Sequence, residues 1–251
     1  MANKIKMEKI ELKLIKVTDR LYYLPHYEKN DWCTIGLVIG DDHIMMLDSG
    51  ASRRHVEMFM AQLEENNLPK PDLCFLTHWH WDHTYGLAHL ENVTSFATKN
   101  TNELLKKMQG WGWSDKDMKN RIETGEDLAF SYPHINDEYP DKSEIKVGSA
   151  TVEFNESLTI DLGGVTVKLK VIENSHSYDC AVAYIPEEKC VFLGDIHYED
   201  LLPKQPAYYA DSHTKLITGL RKFDFDKVLS GHQMLMSNVD LYAQLANVEL
   251  V

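Results

Sequence analysis

The chain has 251 residues, 43% of them hydrophobic, and carries 26 Lys+Arg against 39 Asp+Glu for a formal net charge of −13. That length supports a core that needs neither disulfide nor metal to hold it. The acidic balance disfavours nucleic acid and anionic membrane, whose binding depends on Lys and Arg displacing counterions, so a small-molecule substrate is the expected partner. No apolar run approaches the roughly 18 residues of a membrane span. Met1 to Lys16 lacks the apolar centre of a signal peptide, and a cytoplasmic location is expected. Cys33, Cys74, Cys180 and Cys190 stand among apolar neighbours without Cys-x-x-Cys spacing and read as reduced core thiols.

In chain order, period-2 alternation and apolar runs predict strands over 10–14, 20–24, 34–39 and 43–47. Ser52 then caps a helix whose Val56, Phe59, Met60 and Leu63 recur at helical spacing, and a buried strand follows over 72–77. A strand at 94–98 and a helix at 102–108 precede a stretch, 110–144, rich in Trp, Tyr, Asp, Pro and Gly, with one helix after Ser114. Strands resume at 151–154, 158–162, 165–172, 180–185 and 190–193. A helix at 212–223, a strand at 227–229 and a helix from 238 close the chain. Each half runs antiparallel-looking strands and then alternates strand with helix, without a linker between them. Two sheets packed face to face with helices outside suit that order, as one domain over 1–251 with an aromatic-rich insertion at about 110–144.

Twelve histidines are the compositional anomaly. After the strand at 72–77 the chain reads His78-Trp79-His80-Trp81-Asp82-His83. In an extended segment alternate side chains share a side, so His78, His80 and Asp82 are expected to converge on a metal. By ligand count two ions are suggested, with His78 and His80 serving one and Asp82 and His83 the other. His176, Asp195 and His232 each stand at a strand-to-loop transition, where reactive groups are commonly presented. A turn Asp or a lone core His would be the bland reading of each.

The order of these groups, with Leu47-Asp48-Ser49-Gly50 before them, resembles the metallo-β-lactamase superfamily over nearly the whole chain. The resemblance implies an αββα sandwich with the site at one edge. It implies that His78, His80 and His176 bind a first metal, that Asp82, His83 and His232 bind a second, and that Asp195 bridges both. Zinc is expected first, with iron or manganese as alternatives. Here Tyr85-Gly86 replaces the usual Gly-Gly, and Ser175-His176-Ser177 the usual Gly-His-Thr.

Hydrolysis of an ester, lactone, thioester or phosphodiester by a metal-activated water is the expected chemistry; diiron-type redox and a non-catalytic metal protein are the alternatives. The β-lactamases of the family lack the bridging Asp, and too few residues separate Asp195 from His232 for the inserted domain of the nucleic-acid-processing members. Tyr198, three residues after Asp195, resembles the carbonyl-binding Tyr of quorum-quenching lactonases, which places it beside Asp82 and Asp195 as a catalytic candidate.

Asp48 is expected to orient a ligating histidine through a hydrogen bond, with a turn or helix-cap role as the alternative. Trp111, Trp113, Tyr132 and His134 are expected to line the substrate pocket as part of a lid. A homodimer interface is the competing use of those aromatics, in which case the pocket falls to loops such as 23–32 and 198–209.

Overall fold

The computed structural model describes residues 10–202 and 205–251. In the first sheet β1 (Ile15–Lys16), β2 (Leu21–Leu24), β3 (Ile35–Ile39) and β4 (Ile44–Leu47) are antiparallel neighbours. Helix α1 (Arg53–Glu65) then carries the chain back to start β5 (Leu73–Phe75) parallel to β4, the crossover that a parallel pair requires. A single helical turn, α2 (Trp81–Thr84), leads to β6 (Thr94–Thr98). Then α3 (Lys99–Met108), α4 (Asp115–Glu123) and α5 (Ser131–Glu138) precede β7 (Val152–Phe154), the last strand of this sheet.

The second sheet runs β8 (Ser157–Asp161), β9 (Thr166–Val171), β10 (Ala181–Ile185), β11 (Cys190–Phe192), β12 (Lys227–Leu229) and β13 (Met236–Ser237) in spatial order. Its one parallel pair, β11 with β12, is spanned by α6 (Ala210–Leu220), and α7 (Asn238–Leu245) follows β13.

Three apolar layers separate four layers of structure. Met45, Leu47, Phe75 and Phe96 of the first sheet meet Val167, Leu169, Ala183 and Phe192 of the second. Met46 and Cys74, on the opposite face of their strands, pack with Phe59 and Leu63 of α1 and Leu105 of α3. Val182, Val191 and Val228 turn outward to Leu216 and Leu220 of α6 and Leu241 and Leu245 of α7. Both faces of each sheet are covered, which is why the central strands read as unbroken apolar runs instead of alternating. The expected αββα architecture is the one observed. All four cysteines are free and buried, and among the described residues no helix is long and apolar enough to cross a membrane.

Local chemistry sets the element ends. The Ser52 side chain accepts from the His55 amide at the start of α1, and Thr98 does the same for Thr101, which starts α3 three residues before the expected 102. A capping box between Ser237 and Asp240 starts α7. Two expectations need correction. The 10–14 segment joins no ladder: Ile10, Leu12 and Leu14 pack on the helix-side core, and the Leu14 amide donates to the Gln62 side chain. Within 110–144 a second helix, α5, accompanies the one after Ser114; Pro133 sits in its first turn, where no amide hydrogen is needed.

Candidate metal centre

The predicted histidines and aspartates gather where strands of both sheets end. His78 and His80 follow β5, His176 lies between β9 and β10, Asp195 follows β11 and His232 follows β12. Main-chain bonds lock these loops together: Ala181 N donates to Thr77 O at 2.9 Å and Thr34 N to Gly231 O at 2.6 Å across the sheet interface, and Gly231 N to Gly194 O at 2.9 Å within the second sheet. Two glycines permit the close approach. A Cβ on Gly231 would lie 2.0 Å from Asp195 Oδ1, and Gly194 combines φ +52° with a Cβ position 2.5 Å from Thr77 Oγ1.

The motif itself is not extended throughout, which corrects the expected alternation. His78 and His80 lie on the loop, but Asp82 and His83 ride on α2, whose turn swings them away to face His232. The donors therefore form two groups: His78, His80, His176 and Asp195, and Asp82, His83 and His232. His176 Nε2 lies 3.3 Å from His78 Nε2 and 3.1 Å from His80 Nδ1. Asp82 Oδ2 is 3.0 Å from His83 Nε2 and 3.1 Å from His232 Nε2. Asp195 Oδ2 stands between the groups, 3.7 Å from His176, 4.0 Å from His78, 3.3 Å from His83 and 3.4 Å from His232. Metal–nitrogen bonds of about 2.0–2.1 Å in a tetrahedral shell put neighbouring donors about 3.3–3.4 Å apart, within this range.

The hydrogen bonds behind the donors fix their tautomers. His176 donates Nδ1–H to the Glu199 carbonyl at 2.9 Å, which leaves its Nε2 a bare acceptor. Asp48 is wholly buried and receives Thr77 N at 2.7 Å, Thr77 Oγ1 at 2.9 Å and His83 Nδ1 at 2.7 Å. Since the Thr77 hydroxyl hydrogen goes to Asp48, its oxygen accepts from His78 Nδ1 at 2.9 Å, and His78 too presents a bare Nε2. His78 and His176 thus confront each other as two acceptors at 3.3 Å, an arrangement that a cation reconciles. Buried Asp82 Oδ2 and His83 Nε2 have within reach only the ion-pair contacts of the cluster itself, again as expected of metal donors.

Electrostatics agree. Burial holds His78 and His80 far below the usual imidazole range, and His176 below it. Burial also opposes charge on His83 and His232. Yet Asp82 and Asp195 outweigh it and hold both well above the usual range, while the same pairing keeps the two carboxylates ionised. This centre demands positive charge. Cys33, Asp48 and His83 form a third close group, but the thiol donates to Asp82 O at 3.1 Å and burial pushes it up to about 12. Its place is as a support for α2.

Above the donors opens a cavity of about 690 Å³. Its walls are His26, Glu28 and Asp31 on one side, Leu128, Phe130, Ser131 and His134 on another, and Tyr198, Glu199 and Leu201 on the third. His134 lines the cavity. Trp111, Trp113 and Tyr132 do not. The Arg121 guanidinium lies 4.2 Å from the Trp111 ring centre and 5.0 Å from that of Trp113, and donates to Gly112 O at 2.7 Å. Tyr132 sits 5.6 Å from Lys119 Nζ. These aromatics brace the segment from behind. Glu138 pins it: the buried carboxylate takes hydrogen bonds from Ser52 Oγ, from Arg54 Nη2 at 2.5 Å and from Asn30 Nδ2 at 3.3 Å. Tyr139 adds a bond from its hydroxyl to Ala51 O at 2.8 Å. The segment is a fixed wall.

Tyr198 also lines the cavity, with its hydroxyl 3.2 Å from Ser230 Oγ, and burial raises its pKa. Sequence reasoning passed over His197, wholly buried behind Tyr198 and 3.3 Å from Ser230 Oγ; burial brings it down to about 4. Asp31 was missed as well. It is 3.9 Å from His232 Nδ1, and burial, with Asp82 next, lifts it to about 8. Nothing local marks either residue, although Asp31 lies in the 23–32 loop named as an alternative pocket wall.

A family model described as the metallo-beta-lactamase superfamily matches residues 33–232. Solved structures with similar folds include the DIM-1 metallo-beta-lactamase, at 18% identity and a TM-score of 0.65 over 95% of this chain and 97% of that one. Another is a metallo-beta-lactamase from Pontibacter korlensis, at 16% identity and a TM-score of 0.64 over 95% and 100%. At such identities the likeness establishes the fold. No curated protein matches the chain.

Proposed function

The chain belongs to the metallo-beta-lactamase superfamily, and on that ground we propose that it is a hydrolase that uses two divalent cations, zinc before iron or manganese, on an ester, lactone, thioester or phosphodiester of a small molecule. The observation that carries the pairing of cations is Asp195. One carboxylate oxygen lies 3.3–4.0 Å from imidazole nitrogens of both donor groups, the position of a bridging ligand.

Cations held there supply Lewis acidity and a water acidified toward neutral pH. The protein's own groups do the rest. His78, His80 and His176 would hold the first cation and Asp82, His83 and His232 the second, with Asp195 available to both. Asp48, directly and through Thr77, keeps His83 and His78 in the tautomers that face inward. The Glu199 carbonyl does the same for His176. Tyr198 presents a neutral phenol at the cavity wall, able to donate to a substrate carbonyl once released from Ser230. Leu128, Phe130 and Leu201 give the cavity an apolar side against which a carbon skeleton packs.

The test is elemental analysis of chelator-free protein followed by a panel of ester, lactone, thioester and phosphodiester substrates. Near two equivalents of metal, and turnover lost on chelation and restored by zinc or manganese, are expected. Asp195→Asn should keep no more than one equivalent with turnover reduced at least a hundredfold. A folded protein that binds no metal, or turnover that survives full chelation, overturns the proposal.

A further inference from the structure

We propose that this cavity selects its substrate by positive charge: the molecule cleaved carries an ammonium or similar cationic group a short apolar arm away from the scissile bond. The inference rests on the hydrolase reading above and names the substrate class for the same site.

The ligand donors already make the cavity a site; its remaining lining supplies the charge argument. Glu28, Asp31 and Glu199 add three carboxylates to the wall, and among the described lining residues there is neither Lys nor Arg. Two divalent cations would bring four positive charges, which Asp82 and Asp195 halve. Glu28 and Glu199 balance the remainder without any charge on Asp31, and the lining brings no positive charge of its own. An anionic substrate would therefore find counter-charge only at the metals and repulsion along the walls.

Several carboxylates elsewhere pair with cations of the chain, as in Lys13–Glu65, Arg20–Asp41, Lys106–Glu153 and Lys215–Glu173. In the cavity, by contrast, the ion contact of Asp31 is His232 at 3.9 Å, and the Glu199 side chain is hydrogen-bonded to Tyr208, a neutral phenol. Burial, and then His232, hold the His26 pKa below the usual imidazole range.

A second feature, independent of the carboxylates, points the same way. Phe130 is half exposed, stands 5.0 Å from the His134 ring and shares the wall with Tyr198. Aromatic faces beside carboxylates are the recognition chemistry of ammonium groups. Leu128 and Leu201 supply surface for the arm between that group and the metals.

The experiment uses three hydroxamates of equal length, anchored by the chelating head and ending in trimethylammonium, tert-butyl or carboxylate. The first two are nearly isosteric, so charge is what differs between them. Binding to the zinc-loaded protein is measured by calorimetry. The cationic compound should bind roughly ten- to a hundredfold more tightly than the tert-butyl one, and the carboxylate more weakly than both. The gap should contract between about 0.02 M and about 0.5 M salt. In Glu28→Gln/Glu199→Gln the ratio of cationic to anionic affinity should fall at least tenfold. Because that ratio is the readout, a weakened metal anchor, which affects all three compounds alike, is not mistaken for lost charge selection.

Equal affinities, or a preference for the carboxylate, overturn the proposal. Cationic and neutral esters of one acid are then assayed for turnover. Charge-ordered binding without hydrolysis of either ester, or of cationic lactone, thioester and phosphodiester substrates, sinks the hydrolase reading and leaves the charge selection standing. Hydrolysis of both esters at equal kcat/KM sinks the charge selection and leaves the hydrolase.

Discussion

Replacing Asp48 by Asn removes one oxygen from a carboxylate that has no spare capacity. Its two oxygens accept three hydrogens, from Thr77 N, Thr77 Oγ1 and His83 Nδ1, all within 2.9 Å. An amide offers one acceptor and two donors. With its oxygen toward Thr77 N, its NH2 faces His83 Nδ1 and drives the imidazole to the opposite tautomer, with a hydrogen on Nε2 where a lone pair must face the metal. With the amide reversed, a donor faces the buried Thr77 amide. Either outcome costs about 1.4–2.7 kcal/mol in metal binding, a 10- to 100-fold loss, in the range for such supporting carboxylates. A chelator-competition titration resolves where the loss falls: mainly at the Asp82–His83–His232 group in Asp48→Asn, and mainly at the His78 group in Thr77→Val, which spares the His83–Asp48 bond. Two metal affinities within twofold of wild type, with turnover unchanged, would refute the reasoning and leave Asp48 a turn residue.

Trp111→Ala should lower stability by about 2–3 kcal/mol through lost packing on Arg121 and leave KM within about twofold; a large KM change with an unaltered thermal midpoint would return this residue to the pocket. Glu138→Gln unpins the cavity wall from Ser52, Arg54 and Asn30, and a destabilisation of about 1.5–3 kcal/mol is expected in denaturant titrations. An unshifted midpoint would contradict that anchoring. Burial raises the Asp179 carboxyl to about 6 despite hydrogen bonds from Ser177 and Thr101, above the roughly 3.9 of an unfolded chain. The folded state therefore holds this proton more tightly, and the associated stability is full below about pH 4 and gone above about pH 6. Relative to Asp179→Asn, the wild type should lose up to about 3 kcal/mol between pH 4 and pH 7, and parallel pH–stability curves would count against the shift.

Strands and helices with two covered faces or a clear cap were legible. The Ser52 start of α1, the 227–229 strand and the start of α7 at Asn238 were read from residue order alone. The 10–14 segment deceived because period-2 alternation reports burial on one side and not which partner takes the backbone hydrogen bonds. The clustered donors His78, His80, His176, Asp195 and His232 were legible because each is a reactive residue following a strand, and Asp82 and His83 because they continue the same motif. Ligand counting already split His78 and His80 from Asp82 and His83, but the turn of α2 that produces the split has no hydrophobic period to announce it. The pocket residues were misjudged for a different reason. Composition marks 110–144 as aromatic, but Trp111 and Trp113 are drawn inward by Arg121, a cation nine residues beyond the intervening Gly112 carbonyl it holds. That partner cannot be recognised until the helix between them is folded.

The donors come from both sheets: His78, His80, Asp82 and His83 from the first, His176, Asp195 and His232 from the second. A bound ion is accordingly a rivet through the seam between two halves of the chain, and its binding energy is added to their cohesion. Backbone amides on either side of the seam, in β5 as much as in β11 and β12, should exchange more slowly with solvent deuterium as metal is added. Severing the chain at the exposed Gly125 turn would make that rivet the switch for reassembly, so that two fragments rejoin in zinc and part in chelator.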